Sequence, residues 1–285
     1  MTTTAVARKP VRWGRIAVHL GCLAALLVML YPLAWLLATS LKPADEVIAS
    51  LNLLPSHLEW SNYKTALDGV NDVSIWRLLG NSLLIAGGAV VGNVISCSLA
   101  AYAFARLRFR FRGPMFAFMI ATIMLPHHAV LIPQYIIFNK LGFVNTFVPL
   151  ILPKFLAVDA FFIFLMVQFI RGIPRELDEA ARIDGCGHWR IFFRVLMPLM
   201  GPALATCAIF TFIWTWSDFF TPLIYLTDPN SYTVPVALKG FLDATSGSNW
   251  GAMFAMSIVT LIPLFLVFLF GQRFLVKGIA TTGGK

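Results

Sequence analysis

Two carboxylates, Asp159 and Asp218, lie inside long apolar stretches of the sequence. A charged side chain at the centre of a bilayer costs about 2.5–3.5 kcal/mol on an insertion scale, so each should face a polar cavity or a partner group. There they could hydrogen-bond the hydroxyl groups of a passing solute. The alternative is a structural hydrogen bond, or a place near the outer interface where Lys154 helps to neutralise Asp159.

The other residues capable of chemistry form no catalytic or metal-binding set. His127 and His128 are adjacent, and adjacent residues point to different sides of a helix, which argues against a shared metal site. The chain contains no Ser-His-Asp set, no paired cysteine spacing and no G-x-x-x-x-G-K-[ST] phosphate loop. Gln134 and Asn139 follow Pro133 and are candidates to line a route through the membrane. The sequence predicts a protein that is not an enzyme and binds no cofactor itself.

The composition indicates an all-α integral membrane protein. Of 285 residues, 59% are hydrophobic and 12% are charged, whereas soluble domains carry about 25% charged residues. An apolar run of about 20 residues is long enough to cross the hydrocarbon core as a helix. The sequence predicts a tail (1–15), one membrane domain (16–275) and a second tail (276–285). Its six predicted spans are residues 16–39, 83–105, 114–138, 147–169, 203–223 and 253–275. Pro126 and Pro133 predict a kinked third span, and Pro149 and Pro153 predict an interrupted fourth span.

The basic residues indicate how these spans are oriented. Sixteen Lys and Arg residues fall in the two tails and the connections after spans two and four, against six on the opposite side. Because Lys and Arg concentrate on the cytoplasmic side of membranes, both termini are predicted to be cytoplasmic. This distribution accounts for the net charge of +9 without a nucleic-acid partner.

A charged segment, residues 170–200 (the hinged loop), separates the fourth and fifth spans. Glu176, Asp178 and Glu179 favour the first turn of a helix, where carboxylates interact well with the helix dipole. Gly185 predicts a tight turn after that helix, since glycine accepts a positive φ. A second short helix is predicted over residues 188–196. Its apolar residues are expected on one face: Trp189, Phe192, Phe193 and Leu196.

The spacing within the hinged loop resembles the EAA loop of ABC-importer permeases, E-A-A-x3-G-x9-I-x-L-P. The sequence has Glu179-Ala180-Ala181, then Gly185, then Val195-Leu196-Met197-Pro198; Val195 and Met197 depart from the pattern by apolar exchanges. The rest of the chain is similar to the smaller permease of maltose-type carbohydrate importers. The matching residues include Ala101-Tyr102-Ala103-Phe104-Ala105-Arg106, Met124-Leu125-Pro126, Ile151-Leu152-Pro153, and Trp216 with Asp218, although Ser217 replaces the family's usual Asn.

The resemblance implies a type I ABC-importer permease with six spans, both termini inside, and a cytoplasmic coupling helix. Glu179 would contact an ATPase subunit, Ala180 and Ala181 would permit close approach, and Gly185 would form the hinge. Asp184 and Pro198 complete the predicted coupling set.

The same resemblance implies the partners and the location. The partners would be a second permease, two copies of a cytoplasmic ATPase that holds ATP and Mg²⁺, an extracytoplasmic solute-binding protein and membrane lipid. The location would be a bacterial or archaeal cytoplasmic membrane. The solute would be a sugar or sugar-like molecule, with Asp159, Asp218, Gln134 and Asn139 along its route. The alternative is a secondary carrier driven by an ion gradient, in which Asp159 and Asp218 serve the ion; inverted repeats are expected in such carriers, and none is visible in the sequence.

Overall fold

The computed structural model describes residues 13–49, 52–242 and 249–280, which are helical almost throughout. Within these ranges, an isolated bridge between Val70 and Val73 is the one β pairing. Four segments of the described chain are long and apolar enough to cross a membrane, or five if one bent pair counts as a single span. The nearly all-helical prediction is confirmed, and the count of six spans stays a prediction. Residues 1–12 and 281–285 of the predicted tails lie outside the described ranges.

The chain begins with a long helix and a compact connection. Helix α1 (Trp13–Ser40) is apolar on all sides, and its most apolar window has no buried residue. The connection holds two short helices, α2 (Ala44–Ala49) and α3 (Ser61–Asp68). Asn62 of α3 donates a hydrogen bond of 3.1 Å to the Ser40 carbonyl and so fastens the connection to the end of α1. Because an apolar exposed helix requires lipid or protein around it, α1 must have such neighbours.

The second long helix, α4 (Ile75–Arg106), occupies the centre of the fold and extends beyond the predicted span at its first end. One side of α4 is buried against later helices. At Gly92, a Cβ would lie 2.7 Å from the Phe155 ring. Glycine at this position lets the two backbones approach closely, as small residues do in membrane helix packing.

The third predicted span is divided into α5 (Arg112–Thr122) and α6 (His127–Lys140). The break falls at Pro126, which has no N–H to continue the helical hydrogen bonds. Pro133, by contrast, lies inside α6 without ending it. Of the two prolines at which the sequence predicts a kink, Pro126 coincides with a break between helices, whereas Pro133 lies within a continuous helix.

The fourth predicted span is also broken, but not at its prolines. It comprises α7 (Val148–Ile151), a 3-10 turn (Leu152–Leu156) and α8 (Ala160–Gly172). The two prolines lie in the first turns of α7 and the 3-10 turn, where a missing N–H has no cost. The interruption instead follows at Ala157, whose φ of 55° is left-handed.

The hinged loop contains α9 (Glu176–Ile183), α10 (His188–Arg190), a π-helical turn (Ile191–Leu196) and α11 (Met197–Leu199). It leads into α12 (Gly201–Trp216). The axis bends by 77° between the segment that ends at Leu199 and α12. The hinged loop thus has two arms, a first arm (residues 173–185, with α9) and a second arm (residues 188–199). The second arm lies across the direction of the span that follows.

Three further α-helices complete the described chain, α13 (Phe220–Tyr225), α14 (Val234–Leu238) and α15 (Trp250–Ala280). Two 3-10 turns lie between them, Pro229–Ser231 and Lys239–Phe241. The fifth predicted span, residues 203–223, is thus interrupted between α12 and α13. The sixth is continuous in α15.

The largest buried cluster joins α4, α8, α12 and the hinged loop through residues such as Tyr102, Met166, Phe192 and Cys207. Outside this cluster, α1 contacts α15, where the rings of Trp35 and Phe254 meet edge to face at 5.5 Å. The hinged loop is therefore part of the main core and not an appendage.

Candidate functional site

The first arm of the hinged loop has the local structure that its sequence predicts. Helix α9 carries three carboxylates in its first turn and ends at Ile183. Gly185 then adopts a φ of 77°, a conformation that L side chains rarely adopt. The predicted turn at Gly185 is confirmed.

The outer surface of this arm is exposed in the described chain. Glu179 and Ala180 are exposed, and Ile183 is 88% exposed, whereas Ala181 is packed inward at 9%. Trp189 on the second arm is 68% exposed. The arm thus presents a carboxylate beside large apolar side chains, a combination that suits a protein partner.

The remaining predicted coupling residues, Asp184, Gly185 and Pro198, are also exposed. Asp184 and Gly185 follow α9 directly. Pro198 lies in α11, at the far end of the second arm. The coupling set therefore extends over both arms.

The predicted single apolar face of the second arm is wrong. Phe192 and Leu196 are buried, whereas Trp189 and Phe193 are exposed and stack on each other with ring centroids 6.1 Å apart. The backbone from Ile191 to Leu196 is π-helical, so successive side chains are rotated differently from those of an α-helix. The sequence pattern assumed α-helical spacing.

Arg106, the last residue of α4, joins that helix to the first arm. Its Nη2 donates a hydrogen bond of 2.6 Å to the Ile173 carbonyl, and its Nε lies 3.0 Å from Asp178 Oδ2. The Nε contact is an ion pair whose N–H direction does not meet hydrogen-bond geometry. The other arginines of the α4–α5 connection behave differently, since Arg108 and Arg110 are exposed.

A polar cluster lies at the break between the 3-10 turn (Leu152–Leu156) and α8. Asp159 Oδ2 is 2.9 Å from Lys154 Nζ and also accepts a hydrogen bond from the side chain of Asn93. Asn93 donates a further bond of 3.0 Å to Thr211 Oγ1. The cluster therefore ties α4, the broken segment and α12 together. The suggested contact between Lys154 and Asp159 is confirmed, and their position near the outer interface stays a prediction.

Asp218 lies at a second helix break, between α12 and α13. Its Oδ1 accepts a hydrogen bond of 3.1 Å from the Thr221 backbone N–H, and the residue is half-buried. A carboxylate that accepts an N–H at the start of a helix performs a capping role. Asp218 therefore makes a structural hydrogen bond, which was the alternative to binding a solute.

The two amide candidates lie on α6, separate from both carboxylates. Gln134 is half-buried and Asn139 is exposed near the end of that helix. In the described part of the chain, no hydrogen bond connects either amide with Asp159 or Asp218. The structure thus distributes the four predicted pathway residues over three locations.

No group of three or more His, Cys, Asp or Glu side chains in the described ranges could hold a metal ion. The ring of His128 lies edge to face with that of Phe220, 5.4 Å between centroids. This is an aromatic packing contact.

At the end of α4 opposite the hinged loop, the connection between α1 and α4 carries its own hydrogen bonds. Glu46 accepts a bond of 3.2 Å from the Ser56 backbone, and its bonds with Ser56 lower the pKa of the Glu46 carboxyl. Asn81 of α4 donates to the carbonyls of Asn230 and Tyr232, at 2.9 and 3.0 Å. These contacts hold the connections at this end in place.

Sequence reasoning missed Asn93, Arg106 and Asp178 as site residues. Asn93 carried a signal, because an amide inside a long apolar run requires a hydrogen-bonding partner. Arg106 ends a stretch that matches the family, but its sequence context does not distinguish it from the neighbouring loop arginines. Its burial arises from the way the hinged loop folds back on α4.

Comparison with known families gives a match over residues 92–281 to the model described as binding-protein-dependent transport system inner membrane component. The arabinooligosaccharides transport system permease protein AraQ of Halalkalibacterium halodurans is 33% identical over 261 residues, covering 90% of this chain and 92% of that protein. The diacetylchitobiose uptake system permease protein DasC of Streptomyces coelicolor is 30% identical, covering 96% and 98%.

Two further similarities extend over nearly the whole chain. The sn-glycerol-3-phosphate transport system permease protein UgpE of Agrobacterium fabrum is 32% identical, covering 94% of this chain and 97% of that protein. A chain in the crystal structure of a bacterial ABC transporter involved in the import of the acidic polysaccharide alginate superimposes with a TM-score of 0.78 and 26% identity. That superposition covers 94% of this chain and 99% of the other.

Proposed function

Because this chain belongs to the family of binding-protein-dependent transport system inner membrane components, we propose that it is a permease subunit that imports a sugar or sugar-like solute. The family membership confirms the resemblance drawn from the sequence, and with it a multi-pass protein of the cytoplasmic membrane. The observation that carries the coupling proposal is the hinged loop, whose exposed α9 is anchored in the main core.

The proposed topology has six spans with both termini in the cytoplasm. In this arrangement α5 and α6 together form the third span, and α12 and α13 together form the fifth. The excess of Lys and Arg in the connections at the hinged-loop end supports a cytoplasmic location for that end.

In the proposed mechanism, the exposed surface of α9 contacts an ATPase subunit. Glu179 supplies a charged contact, Ala180 on the surface permits close approach, and Gly185 provides the turn. ATP binding and hydrolysis, with Mg²⁺, take place on that subunit. Movement of the ATPase displaces the hinged loop and shifts the spans between inward-open and outward-open arrangements.

The proposed translocation pathway is formed by this chain and a second permease. The helix breaks at Ala157 and between α12 and α13 support this, because broken helices inside membranes line cavities or protein contacts and not lipid. Two copies of the ATPase and an extracytoplasmic solute-binding protein complete the proposed complex. The hydrogen-bonded connections at the end opposite the hinged loop offer a surface for that binding protein.

A neutral solute fits the described spans better than an anionic one. Lys154 lies in the broken span, and its charge is compensated by Asp159 at 2.9 Å. An anion at this point would meet no net positive charge. Among the solutes named for relatives, the oligosaccharides agree with this electrostatic situation better than glycerol phosphate or alginate does.

The alternative, a secondary carrier, is disfavoured by the same pair. An ion-coupling carboxylate must exchange its ion during transport, whereas Asp159 is occupied by an amine and an amide.

The test is tracer uptake into vesicles that contain the co-purified complex, with an ionophore present and a panel of neutral and phosphorylated sugars outside. Uptake of a neutral sugar that requires ATP and survives the ionophore is expected. Uptake that ignores ATP and stops with the ionophore would make the chain a secondary carrier.

A further inference from the structure

The last turn of α4 holds the first arm of the hinged loop at two points. Arg106 donates through Nη2 to the carbonyl of Ile173, where α8 ends, and pairs through Nε with Asp178 of α9. A single guanidinium therefore bridges the corner between α8 and α9. Because its fork of N–H groups is planar and stiff, it fixes direction as well as distance.

One turn earlier, α4 holds the second arm. The Tyr102 hydroxyl donates a hydrogen bond of 3.3 Å to the His188 carbonyl, and its ring packs against Phe192 with centroids 5.3 Å apart. Tyr102 and Arg106 are four residues apart, so they project from the same face of α4. Both arms are thus attached to one face of one helix.

The ion pair at this attachment is almost completely withdrawn from solvent. The side chains of Arg106 and Asp178 are 3% and 8% exposed. Asp178 Oδ1 is buried and accepts no hydrogen bond from the described residues. A buried ion pair contributes little net stability compared with apolar side chains, even when it is fully hydrogen-bonded. Stability alone therefore does not account for this pair, whereas a fixed position of α9 relative to α4 does.

We propose that Arg106 and Asp178 are positioning residues that make the hinged loop and α4 move together. This inference rests on the proposed function of the hinged loop as the contact for an ATPase. Asn93, which binds Asp159 at the broken span, lies on α4 about 20 Å from Arg106 at 1.5 Å per residue. A displacement of α9 would then reach the polar cluster through α4 as a single rigid element.

The decisive quantity is the amount of solute imported per ATP hydrolysed by the assembled complex in vesicles. Asp178→Asn and Arg106→Gln should leave ATP hydrolysis in place and lower this ratio by about tenfold, within the usual range of coupling between sites. Arg108→Gln is the matched control, because it removes an exposed guanidinium two residues away. It should leave the ratio unchanged.

Two results would overturn the proposal. One is an assembled Asp178→Asn complex that imports solute with the wild-type ratio. The other is a variant that reduces the yield of complex while the assembled fraction keeps the wild-type ratio, which would limit the pair to a role in folding. A failure of the proposed function is distinguishable, since the wild-type complex itself would then show no ATP-dependent import.

The exchanged pair, Arg106→Glu with Asp178→Arg, keeps the inference testable if the single variants fail to assemble. Restoring opposite charges should recover most of the ratio that each single reversal loses. Recovery is expected to be incomplete, because a glutamate cannot donate to the Ile173 carbonyl. An assembled exchanged complex whose ratio remains as low as that of the single reversals would also overturn the proposal.

Discussion

Lys154 Nζ lies 2.9 Å from Asp159 Oδ2, and this ion pair spans the break that separates α8 from the 3-10 turn before it. The side chains are 27% and 28% exposed, so the pair is neither deeply buried nor fully solvated. Asn93 extends the contact to α4. The break in the fourth predicted span is therefore stabilised by opposite charges from its two sides.

Removing both charges of this pair should destabilise the complex by less than the sum of the two single removals. Lys154→Met or Asp159→Asn alone leaves a charge without its partner, which should cost about 1–3 kcal/mol. The double variant leaves no unpaired charge, so its loss should be smaller than the sum of the single losses. Thermal unfolding of the purified complex measures this, and strictly additive losses would contradict the assignment.

Gly185→Ala should destabilise the hinged loop through backbone conformation alone. At a φ of 77° an alanine is strained, at a cost of about 1–2 kcal/mol, while its Cβ would meet no atom within 4 Å. Gly187→Ala is the matched control, since Gly187 has a φ of −75° and equal free space. The unfolding temperature should fall for Gly185→Ala and not for Gly187→Ala. Equal changes in the two variants would refute the role of the positive φ.

Gly92→Ala should separate the broken span from α4. The new Cβ would lie 2.7 Å from the Phe155 ring and 3.0 Å from the Lys154 carbonyl carbon, and such overpacking costs about 1–3 kcal/mol. Gly87→Ala in the same helix meets nothing within 4 Å and should be neutral or slightly stabilising, because alanine favours helices. Unfolding temperatures of the two complexes distinguish them. A stable Gly92→Ala complex would show that the close approach is not required.

Glu179→Lys should lower ATP-dependent uptake by at least about tenfold, because it reverses the charge at the proposed contact with the ATPase. Membrane insertion should be unaffected, since Glu179 is exposed and makes no ion pair within the described chain. The amount of chain in the membrane and its co-purification with the second permease are the controls. Wild-type uptake by the assembled variant would remove Glu179 from the coupling mechanism.

The sequence predicted the helices of the fold better than their interruptions. Long apolar runs indicate spans because only helices satisfy the backbone in lipid, and α1, α4 and α15 follow this rule. Proline located the break at Pro126 but not that at Ala157, where a left-handed alanine depends on tertiary contacts. The π-helical turn was missed for a similar reason, since hydrophobic spacing assumes the α-helical period.

For the candidate site, sequence motifs identified the hinged loop but not its attachment. The turn at Gly185 follows from local conformational preference and could be predicted. Arg106 and Asp178 are far apart in the chain. They come into contact only because the loop folds back on α4, so the sequence alone does not reveal the pair. The contact between Lys154 and Asp159 could be suggested because the two residues are close in sequence.

Photocrosslinking from the surface of α9 tests whether this surface contacts an ATPase subunit. A photoreactive residue at position 183, where Ile183 is 88% exposed, should attach to the ATPase subunit in the assembled complex. The same group at Ala181, which is 9% exposed and packed inward, serves as the matched comparison and should give little or no such product. An ATPase adduct is expected from position 183, and its yield should change when ATP is added. A complex that imports solute but yields no ATPase adduct from position 183 would contradict this contact.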